Sequence, residues 1–236
     1  MSAPLATAMI LAAGRGERMR PLTDTTPKPL LEVGGKPLIA WQIEALVRAG
    51  FRDIAINTAH LAERMIDALG EGAAYGARIR WSREPEPLET AGGIATARDL
   101  FAPGPVLIVS GDIFTRFDYA SLAPRIATMR EGGPARVHLV MVPNPPYHPA
   151  GDFALVDGGV RAEGAPRLTF GNIGIYDGAL FAELPRGAKL KMLPLYQRWI
   201  ALGIVSGECY AGPWANVGTP DDLVALNATL AVSERW

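Results

Sequence analysis

Through the first 140 residues, unbroken apolar runs alternate with segments whose apolar positions recur at helical spacing. Runs at Thr7–Leu11, Asp53–Thr58 and residues 78–82, 106–110 and 136–142 predict strands buried on both faces. Between the first two, Ile39, Ile43, Leu46 and Val47 form one stripe behind Pro37 and stop at Gly50, which predicts a helix opened by proline and ended by glycine. Leu61, Met65 and Leu69, ending at Gly70, predict a second helix, and Leu122, Ile126 and Met129 a third. Strands separated by helices of this length pair in parallel through right-handed crossovers. The pattern therefore predicts an α/β fold: a Rossmann-like three-layer α/β/α sandwich on a mostly parallel central sheet. Ligands of such sheets bind at the carboxyl ends of the strands, near a switch in strand order.

After Val142 the texture changes. The run Pro143-Asn144-Pro145-Pro146-Tyr147-His148-Pro149 excludes helix and reads as a loop into short strands near residues 152–156 and 168–176, a small inserted β-rich lid. A helix behind Pro194 carries Leu195, Trp199 and Leu202, and a strand covers residues 205–210. Thr219-Pro220-Asp221-Asp222 then caps a last helix with Leu223, Leu226 and Leu230. No repeat, hexapeptide or other, is present. Residues 1–236 form one domain whose halves meet near residue 142.

Composition narrows the function. With 49% hydrophobic residues the chain can bury a sizeable core, and Gly 26 with Pro 20 is about a fifth of 236 residues, below the level of low-complexity chains. Lys+Arg 23 against Asp+Glu 24 leaves no global field for nucleic acid or an anionic membrane, so an anionic ligand must be held by a local cluster. One cysteine, Cys209, excludes an internal disulfide, and His60, His138 and His148 lack zinc spacing. Both fit a cytoplasmic protein. The apolar stretch from residue 3 to 13 has no Lys or Arg before it and Arg15 soon after, so it reads as the first strand and not as a signal peptide. No window reaches the ~18 apolar residues of a membrane span. Cys209, Trp199 and Trp214 read as core.

Four segments carry candidate chemistry. In Leu11-Ala12-Ala13-Gly14-Arg15-Gly16-Glu17-Arg18-Met19-Arg20-Pro21-Leu22-Thr23, two glycines expose N–H groups to a ligand and three arginines add charge, which makes an anion site. The dinucleotide fingerprint fails at Met19, and the P-loop Gly-Lys-Ser/Thr is missing. Pro27-Lys28-Pro29 displays one cation from a stiff segment. Glu89-Thr90-Ala91-Gly92-Gly93 opens a helix with small residues where a flat base could lie on bare backbone. Val106 to Asp112 ends a buried strand on a carboxylate, where a cation meets a ligand. Each also has a plain reading: a polar turn, a solvated lysine, a capped helix start, a strand-Gly-Asp turn.

Together, Leu11-Ala12-Ala13-Gly14-x-Gly16-x-Arg18-Met19-x-Pro21-Leu22-Thr23 and Pro27-Lys28-Pro29-Leu30 resemble the signature of the sugar-1-phosphate nucleotidylyltransferases. The resemblance continues through Glu89 to Gly93, Ser110-Gly111-Asp112, Gly151-Asp152-Phe153 and Trp214-Ala215-Asn216-Val217-Gly218-Thr219, nearly the whole chain. It implies the nucleotide-diphospho-sugar transferase fold, with a nucleotide-binding half over about 1–142 and a sugar-binding half over about 143–236. It implies Leu11, Ala12, Ala13, Gly14, Gly16, Glu17, Arg18, Lys28, Glu89 and Gly92 against the nucleotide, and Arg18, Lys28 and Asp112 as catalytic residues. Asp112 would be a Mg²⁺ ligand; its partner is Asn216, where many relatives have an aspartate, and an amide oxygen can ligate Mg²⁺ with one negative charge fewer. Asp152, Asn172 and Lys191 are the sugar-phosphate candidates, and each also reads as a turn residue, a bulge residue or a helix-flanking charge.

The Arg-Gly-Glu-Arg-Met-Arg loop, Pro87-Leu88-Glu89-Thr90 and Val205-Ser206-Gly207-Glu208 are most similar to the uridylyltransferase branch of cell-wall recycling, which implies UTP and a sugar 1-phosphate as partners. The muramate sugar of that branch carries a lactyl carboxylate, which wants a cation; Lys189, Lys191, Arg161 and Arg167 are open candidates. Mannose-1-phosphate with GTP and glucose-1-phosphate with dTTP stay open as other pairs. So does a non-catalytic nucleotide-sugar-binding module, prompted by Asn216. Periodicity does not reveal the oligomeric state.

Overall fold

The computed structural model describes residues 6–232, so the first residues of the 3–13 stretch lie outside it. In chain order the elements are β1 (Thr7–Leu11), β2 (Glu32–Val33), β3 (Lys36–Pro37), α1 (Leu38–Arg48), β4 (Asp53–Thr58), α2 (Ala62–Leu69), β5 (Arg78–Arg83), α3 (Glu89–Ala97), β6 (Pro105–Ser110) and β7 (Ile113–Thr115). There follow α4 (Ala123–Arg130), β8 (Val137–Val142), β9 (Phe153–Val156), β10 (Gly159–Arg161), β11 (Arg167–Asp177), α5 (Leu193–Ala201), β12 (Val205–Cys209), β13 (Trp214–Asn216) and α6 (Pro220–Val232).

Nine strands form one sheet in the order β5-β4-β1-β6-β11-β8-β12-β10-β9. The half made of β5, β4, β1 and β6 is parallel, as is the β8–β12 pair. The long β11 runs antiparallel to β6 and β8 and breaks the parallel order at the middle of the sheet. The β-rich segment after Val142 is present, with β9, β10 and β11 hydrogen-bonded into this same sheet, and β9 also pairs back onto β11. The two short ladders β2–β3 and β7–β13 stand beside the main sheet.

Alternation along the strands separates two cores. Ala8, Ile10, Ile54, Ile56, Leu107 and Val109 face Ile39, Ile43 and Leu46 of α1, Met65 and Leu69 of α2, and Ile126 of α4. Met9, Ala55, Ile108, Leu139 and Met141 face Ala91 and Ile94 of α3 and Tyr196 and Trp199 of α5 on the other side. That is the three-layer sandwich. Leu226 of α6 joins Val33, Leu38 and Phe114 in a third cluster, which docks the last helix beside β7. No described helix is long and apolar enough to cross a membrane. Trp199 is buried as expected, but Cys209, expected in the core, is exposed: it shares a face with the buried Val205 but is the last residue of β12, at the end of the strand.

Candidate active site

The ends of β1, β4 and β6 open into a cavity of about 370 Å³. Its wall includes Leu11, Ala12, Ala13 and Gly14 from the loop after β1, Lys28, Asn57, Glu89, Thr90, Ser110 and Asp112. The segments singled out in the sequence thus converge at the carboxyl edge of the sheet. At Gly14 the wall is bare, since a Cβ there would meet nothing within 4 Å.

The loop owes its shape to a buried polar chain. The Ala12 N–H donates to Asn57 Oδ1 at 2.8 Å, Asn57 Nδ2 donates to Glu84 Oε1 at 2.7 Å, and Leu88 N–H donates to Glu84 Oε2 at 3.0 Å. Asn57 and Glu84 are buried, and burial raises the Glu84 pKa above the ordinary glutamate value even though both hydrogen bonds favour the charged form. Gly93 admits the chain, for a Cβ there would lie 2.7 Å from Asn57 Nδ2 and 2.9 Å from Glu84 Oε1. Neither Asn57 nor Glu84 carried a signal in the sequence, being single polar residues at or just beyond apolar strand ends. Glu89 follows this chain with a positive φ of 62°, a backbone state that a non-glycine residue holds only when its surroundings fix it.

Lys28 is not displayed to solvent, as the flanking prolines suggested, but is buried at 8% exposure. Its Nζ lies 2.5 Å from Asp112 Oδ2. Asp112 occupies the turn between β6 and β7, and its carbonyl accepts from Val217 N–H at 2.9 Å. Pairing of Asn216 with Ile113 brings Asn216 to the same place. Asn216 Oδ1 is buried without a hydrogen-bond partner, and the Tyr147 hydroxyl hydrogen-bonds the Asn216 side chain. The Tyr147 pKa is raised by burial against the pull of that bond. An unpartnered amide oxygen beside a carboxylate is the oxygen donor set that Mg²⁺ accepts. Among the described residues no cluster of three or more His, Cys, Asp or Glu forms a metal site, so a cation held by Asp112 and Asn216 would take its other ligands from water and phosphate.

A second cavity of about 390 Å³ lies on the β9–β11 side, with Tyr147, His148, Asp152, Asn172, Trp214 and Asn216 in its wall. A narrow neck joins the two, sharing Leu11, Thr90 and Ser110 with the first and Phe170, Asn172 and Tyr196 with the second. Asn172 is both a bulge residue, at the register shift of β11 with φ 58°, and a wall residue. Asp152 accepts the Phe170 N–H at 2.8 Å and contacts His148 Nε2 at 3.1 Å. Trp214, expected in the core, is partly exposed; its Nε1 donates to the Gly171 carbonyl at 2.9 Å, which turns the ring towards this cavity.

Several expected residues stand off the walls. Gly16 (φ 67°) packs on Thr23 and Lys28, and Glu17 is exposed. Arg18 is exposed next to Gly218 and Asp222, and Arg20 pairs with Asp24 at 2.6 Å. Gly92 is covered by backbone, where a Cβ would lie 2.1 Å from the Ala188 carbonyl, so it serves close packing of α3. Lys191 is exposed outside both cavities, and Arg167 donates to the carbonyls of Ala150, Ala162 and Asp152.

A family model described as nucleotidyl transferase matches residues 7–151. The chain is 49% identical over 233 residues to an N-acetylmuramate alpha-1-phosphate uridylyltransferase of Neisseria meningitidis serogroup B, covering 97% of this chain and 99% of that protein. It is 34% identical to a protein of the same description from Caulobacter vibrioides, over 95% of this chain and 96% of the relative. A Bacillus anthracis structure solved with sucrose superposes at a TM-score of 0.84 with 20% identity, over 97% of this chain and 96% of the other, a likeness of fold.

Proposed function

The chain belongs to the nucleotidyl transferase family, and from that premise we propose that it joins UTP and N-acetylmuramate α-1-phosphate to give UDP-N-acetylmuramate and pyrophosphate, a step of cell-wall recycling. One observation carries the reading: two cavities meet at a neck, with Lys28 and Asp112 on the wall of one and Asn216 on the wall of the other. Two anionic substrates can thus face each other across it.

A phosphate oxygen of the sugar ester attacks the α-phosphorus of UTP in line; the new P–O bond forms as the bond to the β-phosphate oxygen breaks, and pyrophosphate leaves. The nucleophile is already ionised, so no side chain need remove a proton. The obstacle is repulsion between the two anions, and it falls to Lys28, on the wall of the first cavity, to offset it. The backbone from Ala12 to Gly14 positions the triphosphate, and Asp152 and Asn172 face the sugar. Asp112 and Asn216 would hold Mg²⁺, which when bound supplies further positive charge to the phosphates.

The experiment is pyrophosphate release over the four NTPs against N-acetylmuramate-, N-acetylglucosamine-, glucose- and mannose-1-phosphate, with Mg²⁺ and with EDTA. Turnover strongest with UTP and the muramate ester, and lost in EDTA, is expected. Faster turnover of glucose-1-phosphate or mannose-1-phosphate overturns the substrate assignment.

A further inference from the structure

We infer that His148, oriented by Asp152, selects a sugar phosphate that carries a carboxylate, by donating from its imidazole to that group; this rests on the uridylyltransferase reading above. The sugar-side cavity is walled by aromatic, amide, hydroxyl and aliphatic groups and by one carboxylate, Asp152, whose two oxygens are engaged by His148 and the Phe170 N–H, and His148 is the one side chain in its wall able to carry positive charge. A lactyl carboxylate taken from water into such surroundings needs a charged donor to replace its hydration.

The ring is fixed from one side. A carboxylate oxygen only accepts, so the 3.1 Å contact between Nε2 and Asp152 Oδ1 places a proton on Nε2. Asp152 is itself anchored: Oδ2 takes the Phe170 N–H, and its carbonyl takes Arg167 Nη2 at 2.6 Å. Nδ1 has no partner among the described residues, and in the protonated ring it is a second donor. Asp152 is thus a positioning residue and acts on the substrate through His148.

The four basic residues left open in the sequence are engaged elsewhere or stand outside the cavity. Arg167 spends its guanidinium on three backbone carbonyls, and Lys189 pairs with Glu86 at 2.6 Å. Lys191 and Arg161 are exposed and form no part of the cavity wall. The four basic residues open in the sequence thus yield to a histidine on the proline-rich loop.

N-acetylglucosamine 1-phosphate is the same sugar without the lactyl group, so the ratio of kcat/KM for the two esters isolates this contact. Pyrophosphate release with UTP gives the ratio for the unaltered protein, His148→Gln and His148→Lys. Because the ratio is internal to each preparation, partial misfolding cancels. The glutamine variant is expected to lower it at least tenfold, and the lysine variant to hold it within threefold. A glutamine variant that keeps the ratio, or two variants that lower it equally, overturns the role of His148 while the substrate reading stands. An unaltered protein that ignores the muramate ester overturns both.

Discussion

At the scale of single residues, the Lys28–Asp112 pair decides how the site rests. The ammonium is buried and its partner carboxylate is a third exposed, so the cation waits in a fixed place with its charge offset. Lys28→Ala removes it from where phosphate charge develops. Loss of one such contact is worth on the order of 3 kcal/mol, roughly a hundredfold in turnover. We expect that fall in pyrophosphate release with thermal unfolding shifted by only a few degrees, because Asp112 keeps solvent access; near-normal activity would remove Lys28 from the chemistry. Asn216→Asp restores a second negative charge beside Asp112. Half-maximal activity should then need several-fold less Mg²⁺, and an unchanged requirement would take Asn216 out of the metal site.

At the scale of elements, the chain Ala12–Asn57–Glu84–Leu88 ties the loop after β1 to the loop before α3, which together wall the first cavity, the proposed nucleotide site. Glu84→Gln puts an amide where one of two donors needs an oxygen, so a buried donor is orphaned at a cost on the order of 1–3 kcal/mol. The measurement is thermal unfolding together with the KM for UTP, and we expect a lower midpoint and a severalfold higher KM. A KM that does not move would confine Glu84 to stability. Since burial raises the Glu84 pKa, the native state holds this proton more tightly than the unfolded one. Its contribution is therefore fully present at low pH and is lost as pH rises through the native value, a slope the glutamine variant lacks.

The elements differ in how legible they were. β1 and β4 match their apolar runs to the residue, because a strand buried on both faces leaves an unbroken signature. The helix behind Pro37 was equally plain, whereas the one expected after Pro194 starts at Leu193 and ends before Leu202. The antiparallel seat of β11 between β6 and β8 was not legible, since its pairing with β6 reaches across more than 60 residues and leaves no local trace. In the site, the glycine loop, Lys28 and Asp112 were readable from residue type at strand ends. The commitment of Arg167 to carbonyls and the burial of Lys28 were not, because both depend on what the chain brings against them.

For the whole molecule, His138 is buried in the seam where β12 pairs with β8, with Nδ1 2.8 Å from Ser206 Oγ and Nε2 3.3 Å from Glu208 Oε2. Burial lowers its pKa below the ordinary 6.5; Glu208 pulls it back up and Arg125 pushes it further down. The unfolded chain therefore takes up this proton first as pH falls. Stability is complete above pH 6.5 and is lost as pH falls through the lower native value. The expected result is an unfolding midpoint that drops between pH 7 and 5, with a shallower drop in His138→Asn; equal slopes would place the sensitivity elsewhere.

The return of β9 onto β11 has a consequence for behaviour in concentrated solution. With β11, β8, β12, β10 and β9 joined in a ring, the main sheet keeps a single open border among the described residues, at β5. A bare border is a template on which a second molecule can add a strand and start an aggregate. Here it reads Arg78-Ile79-Arg80-Trp81-Ser82-Arg83, and the ion pairs Arg78–Asp53 and Arg83–Glu63 set charged, hydrated side chains along the border that an incoming strand would have to displace. The fold thus closes one side by curling and guards the other with charged side chains, and resistance to self-association rests on residues that line neither cavity.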